Sequence, residues 1–251
     1  MGRIIAVVNQ KGGVGKTTTA VNLTACLQSL GLKVLMCDFD PQANATSGLG
    51  VEKRKTKYSI YDVVINGIPA KDAIVQTPYG DVLPSSADLA GAGIELLNMD
   101  KPNYRLAEAL APIKNEYDLI FIDCPPSLEM LTLNALAAAD GILVPVQCEY
   151  FALEGLSNLM NTLRIVKKRI NPGLEIFGVA LTMFDGRTNF CTQVAQEVRR
   201  HFPGKVYATV IPRNIRLAEA PSHGIPVIAY DRSSRGAIAY RAMAEEIKNK
   251  L

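Results

Sequence analysis

Short apolar runs alternate with amphipathic stretches along this chain. Arg3–Val8 reads RIIAVV, brief and β-branched, and gives way at once to glycine-rich loop chemistry. That is the pattern of a buried strand. Lys33–Cys37, Asp118–Asp123, Gly141–Gln147 and Glu175–Thr182 repeat it. Between them, apolar residues recur three and four apart. They predict a helix over Thr17–Leu30, closed by Gly31 where a left-handed residue ends a helix. Further helices are predicted over 103–115, 128–138, 152–169, 188–202 and 234–249, the last capped by Ser233 or Ser234. Residues 41–58 are polar, rich in Gly and Asn and then charged, and read as a mobile loop. Strands separated by helices predict an α/β fold: a mostly parallel twisted sheet with helices on both faces. No repeat, low-complexity tract or linker interrupts 1–251, so one domain is expected.

Composition narrows the class. The 251 residues suffice for one large core, and 48% hydrophobic with 20% charged residues excludes a disordered chain. No apolar run approaches the ~18 residues of a membrane span. The start, Met1-Gly2-Arg3-Ile4, lacks the apolar stretch of a signal peptide. Cys26, Cys37, Cys124, Cys148 and Cys191 form no C-x-x-C pair, as expected of reduced thiols in a cytosol. A net charge of +3 does not announce nucleic-acid binding, but leaves room for a local basic patch.

Directly after the first strand comes Gln10-Lys11-Gly12-Gly13-Val14-Gly15-Lys16-Thr17-Thr18, then a helix. This is the context of a phosphate-binding loop. Glycines let backbone N–H groups turn onto phosphate oxygens, and the helix N-terminus adds positive potential. Lys16 would reach the β/γ-phosphates and the Thr17 hydroxyl would ligate Mg²⁺. One position departs from the usual pattern: Gln10 stands where a glycine is usual, followed by Lys11 and a glycine pair.

Acids follow two strands. Asp123 ends the apolar run Asp118–Asp123 and fits a Walker B position, touching Mg²⁺ directly or through water. Asp38 and Asp40 follow the second strand and, two apart, share a side. Taken singly, each serves equally well as a strand-end turn former. Three of them beside a phosphate loop point to a site at the carboxyl ends of parallel strands.

The string Lys-Gly-Gly-Val-Gly-Lys-Thr-Thr resembles the deviant Walker A loop of the ParA/MinD family of ATPases, which are P-loop NTPases. Pro145–Leu156 (PVQCEYFALEGL) and Ile211–Gly224 (IPRNIRLAEAPSHG) are similar to the chromosomal, Soj-type ParA branch. So are Asp-x-Asp-Pro-Gln and Asp-Cys-Pro-Pro-Ser, and the likeness spans nearly the whole chain. The resemblance implies ATP and Mg²⁺, and an ATP-dependent homodimer in which Lys11 reaches the partner's phosphates. It implies that Asp40 orients the attacking water and Asp38 supports the Mg²⁺ shell. It places the base near Met183, Pro212 and Arg213. It also implies non-specific binding of duplex DNA, a ParB-type partner that stimulates hydrolysis, and a cytoplasmic, nucleoid-associated protein. Arg187, Arg213, Arg216 and Arg235 are the candidate DNA contacts.

Two relatives offer rival readings. A MinD-like division-site ATPase would bind membrane through a C-terminal amphipathic helix; here the end, AMAEEIKNKL, has central acids and no Phe or Trp, and no membrane partner is expected. The nitrogenase iron protein bridges its dimer with a cysteine-held cluster; Cys37 and Cys124 read instead as packing residues. His201 and His223 draw no catalytic role.

Overall fold

The computed structural model describes residues 2–149 and 152–251, and the side chains of all of these except 152–154. Tyr150 and Phe151 of the string PVQCEYFALEGL lie outside the described residues. The chain runs β1 (Arg3–Val7), α1 (Lys16–Ser29), β2 (Val34–Asp38), α2 (Asn44–Gly48), α3 (Ile60–Val64) and α4 (Ala70–Ala73). It continues with β3 (Asp81–Leu83), α5 (Leu89–Leu97), α6 (Arg105–Leu110), β4 (Leu119–Asp123), α7 (Met130–Ala138) and β5 (Gly141–Gln147). The last third holds α8 (Ala152–Arg169), β6 (Glu175–Thr182), α9 (Asn189–His201), α10 (Ile215–Glu219), α11 (Val227–Tyr230) and α12 (Arg235–Lys248). The six strands form one sheet in the order β3-β2-β4-β1-β5-β6, and every neighbouring pair is parallel.

Side chains alternate across each strand, and the alternation sorts the core into two layers. Ile4, Ala6, Leu35, Cys37, Ile120 and Ile122 pack on one face with Leu131 and Leu136 of α7 and Leu159 and Leu163 of α8. Ile5, Val7, Val34, Met36, Leu119 and Phe121 pack on the other with Leu23 and Leu27 of α1 and Tyr240, Met243 and Ile247 of α12. The register then positions the acids. Asp123 of β4 lies opposite Asp38 of β2 and opposite Val7 of β1. Both acids share the parity of Met36 and Phe121, so both face the α1 side, where the phosphate-type loop begins.

The five predicted strands and six predicted helices are present, with ends shifted by a residue or two except over 103–115. Leu30 caps α1, and Gly31 follows at φ +87°. Ser234 caps α12 by accepting from the Ala237 N–H at 3.2 Å, whereas Ser233 bonds Asp231. The stretch 103–115 shortens to α6 and a 3₁₀ turn at Lys114–Glu116, because Pro112 has no N–H to continue a helix. Residues 41–58 are not a loose loop. They hold α2 and a 3₁₀ turn at Lys53–Lys55, and Ala43, Ala45, Leu49 and Val51 are buried. All five cysteines are buried free thiols, consistent with packing roles for Cys37 and Cys124.

Candidate functional site

β1 delivers Asn9 to the carboxyl end of the sheet, and Asn9 anchors the glycine loop. Its Oδ1 accepts from the Lys11 N–H at 3.0 Å, and its Nδ2 donates to the Pro145 carbonyl at 2.8 Å. The loop is thereby tied to β5. Gly13 and Gly15 adopt φ of +75° and +87°, where any Cβ is strained, so the loop demands glycine there. From the other side, Thr182 Oγ1 at the end of β6 donates to the Val14 carbonyl at 2.8 Å. α1 begins at Lys16, so its first unsatisfied N–H groups and its positive end border the loop.

Lys16 is only 7% exposed, and its Nζ donates to the Lys11 carbonyl at 3.2 Å. Burial lowers its pKa, while the charges of Asp123 and Asp40 act in the opposite direction. Asp123 is fully buried, and neither carboxylate oxygen has a hydrogen bond of regular geometry. Burial, and next the Asp38 charge, push its pKa well above the carboxylate range; the Thr17 hydroxyl and Lys16 favour ionisation. Asp38 is bonded throughout: the Thr46 N–H and Oγ1 both donate to its Oδ2 at 2.7 Å, and the Asp40 N–H to its Oδ1 at 3.3 Å. Burial still raises it to about 6. Asp40, 9% exposed, accepts from the Gln42 N–H at 3.0 Å.

A buried carboxylate lacking regular hydrogen bonds, next to a threonine hydroxyl and a lysine, is a fit place for a hard cation. Among the described residues no three His, Cys, Asp or Glu side chains form an all-protein metal cage. A cation here would complete its shell with phosphate oxygens and water, as Mg²⁺ does.

Lys11 leaves this cluster. Its Nζ lies 3.0 Å from Glu149 Oε2, with the two side chains 37% and 46% exposed. The Gln147 amide holds the other Glu149 oxygen. Sequence reasoning missed Glu149, Thr46, Asn9 and Thr182. Glu149 follows a parallel strand at its carboxyl end, a signal that could have flagged it. Nothing local marks Thr46, whose hydroxyl also accepts from the Ser85 N–H at 3.0 Å.

The residues expected around the base come together. Met183 follows Thr182 at φ +49°, an unusual value for a bulky side chain. Phe184 pairs with Pro212, donates to the Ile211 carbonyl at 2.9 Å and accepts from the Arg213 N–H at 3.4 Å. A separate cavity of about 340 Å³ opens against Thr17 and Thr18, lined by Asn22, Leu217, Ala218 and Pro221 and by none of Met183, Pro212 and Arg213.

The four arginines are exposed on neighbouring segments. The first turn of α12 lies against α10, since a Cβ on Gly236 would fall 2.8 Å from Leu217; Arg235 is thereby brought near Arg216. Asp185 feels the charges of both Arg187 and Arg213.

A family described as an AAA domain matches residues 2–176. The sporulation initiation inhibitor protein Soj of Bacillus subtilis (strain 168) is 55% identical over 249 residues, 98% of each chain. This chain belongs to the ParA/MinD family of ATPases. Within that family it falls in the Soj/ParA branch: the chromosome partitioning protein ParA of Myxococcus xanthus (strain DK1622) is 50% identical over 252 residues, 100% of this chain and 89% of that one. Two solved structures share the fold. The cell division ATPase MinD of Pyrococcus furiosus superposes with a TM-score of 0.82 at 32% identity, covering 100% of both chains. Cobyrinic acid a,c-diamide synthase from Mycobacterium smegmatis, with bound ADP and magnesium, gives 0.84 at 38% identity over 98% of this chain and 93% of that one. The parallel sheet and strand–loop–helix are those of a P-loop NTPase.

Proposed function

We propose that this ATPase is a nucleotide-driven dimerisation switch that binds duplex DNA without regard to sequence and serves chromosome partitioning. The observation that carries the reading is the division between two lysines. Lys16 is buried beside Asp123 and Asp40, whereas Lys11 is partly exposed and directed away from the loop onto Glu149. One is suited to its own subunit's phosphates, the other to a neighbour's.

In this scheme the backbone of Gly12, Gly13, Val14 and Gly15 and the start of α1, Lys16 to Thr18, hold the phosphates of ATP. Thr17 and Asp123 hold Mg²⁺, with Asp38 supporting the shell through water. Bound Mg²⁺ neutralises charge on the phosphate oxygens. Asp40 orients the attacking water. Lys11 leaves Glu149 for the partner's triphosphate, where a second cation stabilises charge in the manner of an arginine finger. Met183, Pro212 and Arg213 border the base. Two copies joined in this way present Arg187, Arg213, Arg216 and Arg235 twice over, and DNA binding is sequence-tolerant and salt-sensitive. A ParB-type partner stimulates hydrolysis. Loss of the γ-phosphate removes the anion between facing lysines, the population shifts to single subunits, and DNA is released. The cycle takes place in the cytoplasm on the nucleoid.

α12 favours DNA over a membrane surface. Its apolar residues Ala237, Tyr240, Met243 and Ile247 are buried in the same layer as Leu23 and Leu27 of α1, so they are not free to enter lipid. The deciding experiment is a gel shift on random-sequence duplex with no nucleotide, with ADP and with ATP, paired with light scattering on Asp40→Ala. Retention only with ATP, and a stable Asp40→Ala dimer, are expected. A chain that stays monomeric at saturating ATP and Mg²⁺, even as Asp40→Ala, overturns the scheme.

A further inference from the structure

We propose that Asp185, Glu219 and Asp231 are internal competitors for DNA phosphate: they hold Arg187 and Arg216, so that a phosphate must displace a carboxylate in order to bind. This rests on the DNA-binding reading and refines it.

Asp185 takes Arg187 in a two-point grip. Nε donates to Oδ1 at 2.9 Å and Nη2 to Oδ2 at 2.6 Å, and the Arg187 backbone N–H reaches Oδ1 at 3.1 Å. This fork is the one a guanidinium offers to phosphate, so both anions need the same donors. Arg216 gives Nη1 to Glu219 Oε2 at 2.7 Å and keeps Nε 3.3 Å from Asp231 Oδ2. These two acids are themselves fixed. The Tyr230 hydroxyl donates to Glu219 Oε2 at 3.3 Å, and His223 stacks on the Tyr230 ring at 4.9 Å. The Ser233 N–H and Oγ donate to Asp231 Oδ1 at 3.2 and 2.9 Å. Acids held by third groups keep their place when the arginine moves, and recapture it when phosphate leaves. The guanidiniums of Arg213 and Arg235 make no hydrogen bond or ion pair among the described residues.

The consequence is a DNA site that is weak in one subunit. Exposed ion pairs are worth little each, so the acids lower affinity without abolishing it. Joining two such sites multiplies them, because the second engages as an intramolecular event. A weak single site therefore makes DNA binding depend on the dimer, and so on ATP. Stronger single sites would let unjoined subunits stay on DNA.

The test is fluorescence anisotropy on a labelled random-sequence duplex, with ATP and Mg²⁺ and with ADP, across a salt series. Asp185→Asn, Glu219→Gln and Asp231→Asn are compared with the wild type. Each is expected to bind roughly three- to fivefold tighter. The log–log salt slope should stay within about 0.9 of wild type, because the same arginines neutralise the same phosphates with or without the competing acid. Binding with ADP should rise toward that with ATP. The gain of Asp185→Asn should vanish in an Arg187→Ala background, and those of Glu219→Gln and Asp231→Asn in Arg216→Ala. Urea midpoints confirm folding, and Glu219→Gln carries the Arg216 arm should Asp231→Asn disturb its turn. No tightening, or tightening that persists without the arginine, overturns the proposal. Wild type that ignores DNA even with ATP overturns the DNA reading itself, and that arm alone reports it.

Discussion

Asp123 is the group whose replacement tests the electrostatics of the site most directly. It is fully buried, lies opposite Asp38, and has no hydrogen bond of regular geometry to either oxygen. In the metal-free protein its charged form is therefore disfavoured, and its pKa is raised well above the carboxylate range by burial first and the Asp38 charge next. The penalty has a ceiling, because the group can always take up a proton. From an unfolded value of ~3.9 to pH 7 is about three pH units at ~1.36 kcal/mol each, or about 4 kcal/mol. Asparagine removes the charge and adds an amide donor without an acceptor, which costs back about 1–3 kcal/mol. Asp123→Asn should thus be more stable than wild type at pH 7, by up to about 3 kcal/mol, although it loses ATPase activity. The sign with pH comes from proton uptake on folding. With the folded pKa raised, this group's contribution is intact below the unfolded value and is lost as pH rises toward the folded one. The variant's advantage should therefore be largest at pH 7 and shrink at pH 4.5. The assay is urea unfolding followed by circular dichroism, in EDTA and without nucleotide, at both pH values. An advantage of equal size at both, or a variant less stable at pH 7 than wild type, refutes the reasoning.

Three other perturbations probe separate parts of the molecule. Thr46→Val removes one of two donors to Asp38 Oδ2 and leaves the Ser85 N–H without its acceptor in a buried site; urea unfolding should show a loss of about 2–5 kcal/mol, and under 1 kcal/mol would contradict the pairing. Gly178→Ala brings a Cβ to 2.4 Å from the Tyr207 ring. It should cost about 1–3 kcal/mol, and an unchanged urea midpoint would show that the ring yields freely. Lys11→Ala should bind a fluorescent ATP analogue within a few-fold of wild type, roughly, yet fail to dimerise by light scattering, because the exposed lysine contributes to the neighbour's site and not its own. Equal dimerisation would remove the trans role.

Much of the site was legible because it is local. Strand, glycine loop and helix start succeed one another without interruption from Arg3 to Thr18, and short-range sterics dictate the glycines at φ +75° and +87°. Asp38 and Asp123 were visible as the ends of apolar runs, since period-two burial is written along each strand. The short elements between 41 and 97 were not legible. α2, α3, α4 and β3 are three to five residues each, too few for a period to declare itself, and their burial comes from what packs over them.

By itself, then, the sequence determined the loop, the alternation of strands and helices, and the family. Only the tertiary structure decided which groups meet. Strand order and register set Asp38 opposite Asp123 and bury both, and that burial raises both their pKa values. The path of β5 brings Glu149 to Lys11 across 138 positions, and the turn before α12 brings Asp231 to Arg216. Charges act through space and the chain pattern acts along sequence, so a lysine or arginine can be recognised from its neighbours in sequence while its partner waits on the fold.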